Sequence, residues 1–283
     1  MSTITSTSTL AGLSPTPGIL YNAIMLRKIV WSLVLFLVIG VLAVRLFGPR
    51  VVIWLDQERW DTAAPGIEVR VLKGTGVYGD VAVTALRIDP RCRIRVVDAH
   101  RGVRDAGAMA SDVCPAGGAA INANFFDESL NPIGLVIADS NAVSKITFPR
   151  SRLKPWGLFL ISKGKPRVIT NTRNYPKDAS QAVQCGPMLV MGGKLNTFPT
   201  LPIARRAGVG VDEKGRVIFA ISDGSFTMAQ WAACLQSELG CVDALNLDGG
   251  PSAQLAVTGK ERTLVKDGVR VPVFLTAEPL KTR

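Results

Sequence analysis

From residue 66 onward the chain alternates apolar and polar positions with a period of two, the spacing of a half-buried β-strand. The segments "IEVRVL" from Ile67, "VAVTALRI" from Val81 and "RIRVV" from Arg93 carry it, and Asp89-Pro90 marks the turn between the last two. "GLFLI" and "PRVI" flank Lys163-Gly164-Lys165, "PMLVMGGKL" folds back at Gly192-Gly193, and "GVGVDEKGRVIFAI" folds back between Asp212 and Gly215. Links this short favour antiparallel pairing, because a parallel crossover needs a longer connection. One segment breaks the period. Thr227 with Gln230 makes a capping box, and Met228, Trp231, Ala232, Leu235 and Leu239 then recur at helical spacing until Gly240. A second helix is expected over "GVRDAGAMASDV", residues 102–113. Together these predict an α+β domain over residues 66–283, mostly antiparallel sheet with a few packed helices.

The chain before it reads differently. Residues 1–24 are rich in Ser, Thr and Pro and are expected to form a disordered leader, and 49–65 a linker. Between them, "IVWSLVLFLVIGVLAV" from Ile29 carries no charge, and Leu46 and Phe47 extend it past Arg45. This is short for a hydrocarbon core of roughly 30 Å, yet long enough to span when Arg45 snorkels. Residues 25–48 are therefore expected to be a transmembrane helix, with membrane contact through 29–47. The rival is a cleaved signal, for which Val41 and Ala43 are the small residues before the cut. Either way Arg27 and Lys28 hold the N-terminus on the cytoplasmic side. The expected location is the inner (cytoplasmic) membrane, single pass, with the C-terminal domain facing the periplasm or exterior.

Charge and cysteines narrow the chemistry. Thirty-three Lys and Arg against twenty-two Asp and Glu give a net charge of +11, which favours anionic partners such as phosphate-rich glycans or lipid headgroups. No lysine-rich tail or aromatic-spaced basic run argues for nucleic acid. Five cysteines suit an oxidising compartment. Cys92 with Cys114, and Cys234 with Cys241, are pairs the spacing permits, with Cys185 left over. His100 is the only histidine, which argues against a thiol nucleophile, a Ser-His-Asp triad and a His-rich zinc site. "GTGVYG", Gly74 to Gly79, has dinucleotide-binding glycine spacing, but a strand follows where a phosphate-binding helix is required, so it reads as a turn.

What remains is carboxylates, amides and arginines, and they gather at three strand ends. In "AINANFFD" the alternation sets Asn122 and Asn124 on one face and leads out to Asp127. In "CVDALNLDGG" it aligns Asn246 with Asp248, roughly 7 Å apart along the strand. The apolar run "VIFAI" ends in Ser222-Asp223-Gly224, and Arg205-Arg206 precede the strand "AGVGV". One such acid is usually a turn former, but three strand ends of the same kind look like a site on a rigid scaffold.

"INANFFD", "QCGPMLV", "ARRAGVGVDEKGRVIFAISDG", "TMAQWAACLQSELGC" and "DALNLDGGPSAQL" occur in the order seen in the phosphodiester glycosidase family, which residues 75–278 resemble. The resemblance implies hydrolysis of a sugar-1-phosphodiester at the anomeric carbon. Ala123 and Asn124 follow Asn122 where the family more often has Gly-Gly, and Ala207 replaces the usual hydroxyl residue after the arginine. A phosphate leaves without a proton, so the chemistry reduces to a carboxylate beside the anomeric carbon and donors on the phosphate. The roles implied are Asp248 as nucleophile or base, Asp223 as second carboxylate and Arg206 on the phosphate. Asn122, Asn124 and Ser252 would orient sugar hydroxyls, with Arg205, Asn246 and Asp127 as further substrate contacts. Gly249 and Gly250 would let backbone approach the ligand. No cofactor is called for, although Asp and Asn oxygens suit Ca²⁺ or Mg²⁺. The resulting expectation is a membrane-anchored hydrolase of a phosphorylated glycan in cell-envelope or exopolysaccharide material. The alternative is a non-catalytic module that binds anionic polysaccharide during exopolysaccharide assembly or export.

Overall fold

The computed structural model describes residues 17–47, 52–57, 59–76, 79–100, 107–148, 155–170, 173–198 and 202–280. Two compact units divide the chain, Met1–Gly48 and Pro49–Arg283. The first contains helix α1 (Pro17–Phe47), whose described side chains are those of residues 25–40. Its Trp31, Leu33, Phe36 and Leu37 are exposed. Among the described residues no helix is long and apolar enough to cross a membrane. The expected span reaches Phe47, beyond the side chains that are described.

The second unit opens with β1 (Val52–Gln57), β2 (Asp61–Ala64), β3 (Ile67–Gly76) and β4 (Gly79–Ile88). The "GTGVYG" glycines join β3 to β4 as a hairpin. β5 (Arg93–Asp98), the short helix α2 (Ala110–Val113) and β6 (Ala119–Asn122) follow, then β7 (Val136–Ala138), β8 (Asn141–Ser144), β9 (Gly157–Ser162), β10 (Lys165–Thr170) and β11 (Ala179–Cys185). The chain then runs through β12 (Met188–Met191), β13 (Lys194–Leu195), β14 (Ala207–Asp212), β15 (Val217–Asp223), α3 (Met228–Ala233) and β16 (Cys241–Asn246). It closes with β17 (Leu255–Thr258), β18 (Thr263–Lys266) and β19 (Val273–Glu278).

These strands build three sheets. The largest runs β1-β3-β4-β15-β14-β16-β12-β13 with β2 on β3, the second β10-β9-β11-β7-β8 and the third β18-β17-β6-β19-β5. The pairs that join them are antiparallel, as the short links required. One core unites all three: Leu86, Phe219 and Leu245 of the first sheet pack in a cluster with Phe159 and Val183 of the second and Ile121 and Leu275 of the third. On the first sheet's other face, Trp231 and Leu235 pack with Ala220 and Ala244.

The helix that covers this face starts as its sequence dictates. Thr227 Oγ1 accepts from the Gln230 N–H at 3.1 Å, and Gln230 Oε1 accepts from the Thr227 N–H at 2.9 Å. It does not stay α-helical to Leu239. After Ala233 it widens into a π-turn over Cys234–Glu238 and stops at Gly240, whose φ of 72° no other residue adopts cheaply. The other expected helix is cut to Ala110–Val113 because Ala108 pairs with Val271 instead, and residues 101–106 lie outside the described segments.

The cysteines correct a second expectation: all five are free thiols. Cys92 Sγ lies 3.5 Å from the Gly66 carbonyl, whereas Cys114 Sγ sits 3.4 Å from that of Gly118, so the two serve different loops. Burial raises the thiol pKa at Cys92 to about 11 and also raises it at Cys114, Cys185, Cys234 and Cys241. Such thiols are poor nucleophiles.

Candidate active site

Sheet order brings the expected strand ends together. β14 lies between β15 and β16 and runs antiparallel to both, so its start meets their two ends. Beyond the last rungs the Arg206 N–H donates to Ser222 Oγ at 2.7 Å, and the Gly250 N–H to the Arg205 carbonyl at 2.8 Å. β6 arrives from the third sheet. Past Asn246, whose N–H still bonds the Pro187 carbonyl, the Asp248 N–H donates to Ala123 O at 2.9 Å. The exit of β6 therefore continues the edge of β16 where β12 has ended, and the third sheet docks on the first at the candidate acid.

The side chains divide into two groups. The first surrounds Asp248. Burial raises its pKa above the usual carboxylate value, partly offset by bonds from the Ser252 hydroxyl and the Gly249 N–H. Asn246 Nδ2 is spent on the carbonyls of Gly186 and Leu247, at 3.0 and 2.8 Å, and Asn124 Nδ2 reaches that of Ile133 at 3.4 Å. Asn124 and Asn246 are 2% and 4% exposed, and the Oδ1 of each is buried without a hydrogen-bond partner. Cys185 lies beneath, close enough that the Asp248 charge adds to its raised pKa.

The second group surrounds Asp223. Its carboxylate lies 2.6 Å from Lys266 Nζ and 3.7 Å from Arg205 Nη2, and the three side chains are 35%, 37% and 32% exposed. Solvent therefore reaches all three. Arg205 also donates to the Ala253 carbonyl at 3.0 Å, which ties this cluster to the loop after Asp248. Asp223 and Asp248 are thus neighbours by topology with separate partners.

Four further expectations change. Arg206 is 6% exposed, and its guanidinium donates to the Pro202 and Phe226 carbonyls at 2.6 and 3.1 Å, with burial lowering its pKa. It braces the loop, and Arg205 is the cation that faces outward. Asn122 is a tie: its Nδ2 donates to Asp248 O at 2.7 Å, and its Oδ1 accepts from the Gln254 N–H at 3.0 Å. Asp127 is exposed and folds its own loop, accepting from the Ser129 and Asn131 N–H groups, both at 2.9 Å. Asn131, by these bonds, holds the Asp127 carboxyl below its usual pKa. Gly249 is required by close approach, though to the protein itself: a Cβ there would stand 2.7 Å from Arg205 O, while Gly250 takes a φ of 58°.

Sequence reasoning missed Lys266 and Gln254. Lys266 had a signal, as the last residue of the alternating run "TLVK" before Asp267-Gly268. Gln254 is fully buried, accepting from the Ala110 N–H at 2.6 Å and donating to the Val269 carbonyl at 2.6 Å, and nothing local marks it. Among the described residues no group of three or more His, Cys, Asp or Glu is placed to hold a metal ion.

The sheet-rich fold is shared with several solved structures. A hypothetical protein from Synechocystis aligns at 18% identity and a TM-score of 0.54, covering 75% of this chain and 62% of its own. The zebrafish N-acetylglucosamine-1-phosphodiester alpha-N-acetylglucosaminidase catalytic domain, auto-inhibited by its pro-peptide, aligns at 17% and 0.58, covering 80% and 88%. A putative exported protein from Burkholderia pseudomallei K96243 aligns at 12% and 0.57, covering 82% and 98%. Residues 118–277, more than half of the chain, match the phosphodiester glycosidase family, and the chain belongs to that family. The uncharacterized protein YigE of Escherichia coli strain K12 is 27% identical over 138 residues, 46% of this chain and 54% of its own length. The chain therefore spans about half the length of that relative.

Proposed function

We propose that the chain hydrolyses a sugar-1-phosphodiester, with Asp248 serving the anomeric carbon and Arg205 with Lys266 receiving the phosphate. The observation that carries this reading is a carboxylate, Asp248, whose pKa burial raises, on strand ends that also carry the buried, partnerless oxygens of Asn124 and Asn246. An acceptor left unpaired inside a protein costs about 1–3 kcal/mol, and sugar hydroxyls are donors that would relieve it. Family membership supplies the reaction class, and the zebrafish relative is named for the same kind of bond.

In the reaction, the oxygen of water bonds to C1 and the C1–O bond to phosphate breaks, its electron pair leaving with the phosphomonoester. The water's proton passes to Asp248. Desolvation strengthens that carboxylate as a base, and the leaving phosphate needs no proton, so a single carboxylate can do what ordinary glycosides require two for. Asp223 holds Arg205 and Lys266 in place until the substrate's phosphate takes a share of both. Residues 29–47 would anchor this domain outside the cytoplasmic membrane and direct it to envelope or exopolysaccharide material; the uncharged run and the preceding Arg27-Lys28 support that placement.

The test is release of sugar from a panel of sugar-1-phosphodiesters by the full chain, with and without chelator. The wild type should turn over at least one diester, and Asp248→Asn should bind it without releasing sugar. Wild-type binding without turnover would favour the polysaccharide-binding alternative. Undiminished turnover by the variant would remove Asp248 from the mechanism.

A further inference from the structure

The face of the sheet that carries Asp223 ends in an exposed apolar edge. β1 is the outermost strand on that side, and its alternation packs Val52 and Trp54 against the core while leaving Ile53 and Leu55 61% and 69% exposed. Edge strands in soluble proteins are usually blunted by lysine, proline or charge, and here the outward positions are Ile and Leu. The register extends this edge toward the site: Lys73 of β3 lies opposite Ala82 of β4, which lies opposite Asp223 of β15. Leu55, Lys73, Asp80, Ala82, Asp223 and Gly224 line one cavity of about 420 Å³, whose charged lining is one lysine and two carboxylates. Asp223 in turn contacts Arg205 and Lys266. Hydrocarbon at one end of the cavity and, past the Asp223 carboxylate at the other, the cations Arg205 and Lys266 match an amphiphile with an anionic head.

We propose that the second ester of the phosphodiester is to a long hydrocarbon chain, so that the substrate is a lipid-linked sugar phosphate taken at a membrane surface. The hydrocarbon lies along Ile53 and Leu55, and the phosphate between Arg205 and Lys266. This rests on the hydrolase reading above and names its substrate class. Continuity of sequence supports it, because only residues 48–51 separate β1 from the apolar helix α1.

The experiment uses the full chain in phosphatidylcholine vesicles and two synthetic diesters that share one sugar 1-phosphate, one with a methyl and one with a decyl alcohol. Binding of decyl phosphate and methyl phosphate is measured alongside. The decyl diester should have a kcat/KM at least tenfold above the methyl diester. The double change Ile53→Ser with Leu55→Ser, at exposed positions, should erase that preference by bringing kcat/KM for the decyl diester down to that of the methyl diester. Equal use of both diesters, or an unchanged preference in the double variant, overturns the proposal. A dimer that dissociates in the variant while the lipid preference persists would assign the edge to a second copy and overturn it as well. If neither diester is cleaved, the hydrolase reading fails separately, and preferential binding of decyl over methyl phosphate still decides whether the edge holds hydrocarbon.

Discussion

Asp223 and Asp248 stand in nearly the same local sequence, an apolar strand running into Asp-Gly, yet the fold gives them opposite surroundings. Asp223 meets two cations within reach of water. Asp248 is half-buried and accepts from Ser252 and Gly249, and burial raises its pKa. A carboxylate already paired with cations is a poor base, while one whose burial raises its pKa is better suited to taking a proton. The same motif therefore meets two environments, and the difference lies in what the neighbouring strands bring.

The sharpest way to break this comparison is at Asp248. Asp248→Asn should lower kcat by about 10²–10⁴-fold, the usual worth of a positioned acid or base. The same variant tests the electrostatics. Because the folded pKa is raised, folded protein holds the proton more readily than unfolded chain, so the contribution of Asp248 to stability is fully present below the unfolded value and is lost as pH rises through the folded one. The variant should lose this pH dependence and melt no lower than wild type at neutral pH. Activity of the wild type should rise with pH through a midpoint above the usual carboxylate range, as read from a kcat/KM profile.

Arg206 gives the next largest effect, on stability. Arg206→Leu leaves the Pro202 and Phe226 carbonyls without their donor and should cost about 2–3 kcal/mol in a denaturant melt. Arg205→Gln and Lys266→Gln should instead each raise KM about tenfold while sparing the melting temperature, as expected for exposed charges on a substrate phosphate. If Arg206 rather than Arg205 set KM, the assignment of the phosphate group would be reversed. The smallest effect is expected at Asp223. Asp223→Asn frees both cations, so methyl phosphate should bind a few-fold tighter by calorimetry while kcat changes little. A kcat loss as large as that of Asp248→Asn would restore it as a second catalytic carboxylate.

Much of this was readable along the chain. The period-two runs marked the hairpins of β3-β4, β9-β10 and β14-β15, and Thr227 with Gln230 marked the start of α3, because alternation and capping are local consequences of backbone geometry. The candidate positions Asp248, Asn124 and Asn246 were legible for the same reason, as polar residues ending buried strands. The different orientations of Arg205 and Arg206 were not. Arg205 and Arg206 are adjacent and chemically alike, and only the loop through Pro202 and Phe226 turns one inward and leaves the other beside Asp223. Lys266 reaches Asp223 from 43 residues away in sequence, across two sheets.

The sequence by itself determined the strands, their antiparallel links, the capped helix and the family, all set by patterns within a few residues or by motifs in order. The tertiary structure decided which polar ends share surroundings, which glycines serve the protein's own close approaches, and which acid burial makes the stronger base. Those properties depend on sheet order and on the docking of β6 against β16, and a carboxylate's chemistry follows from the atoms around it more than from its neighbours in the chain.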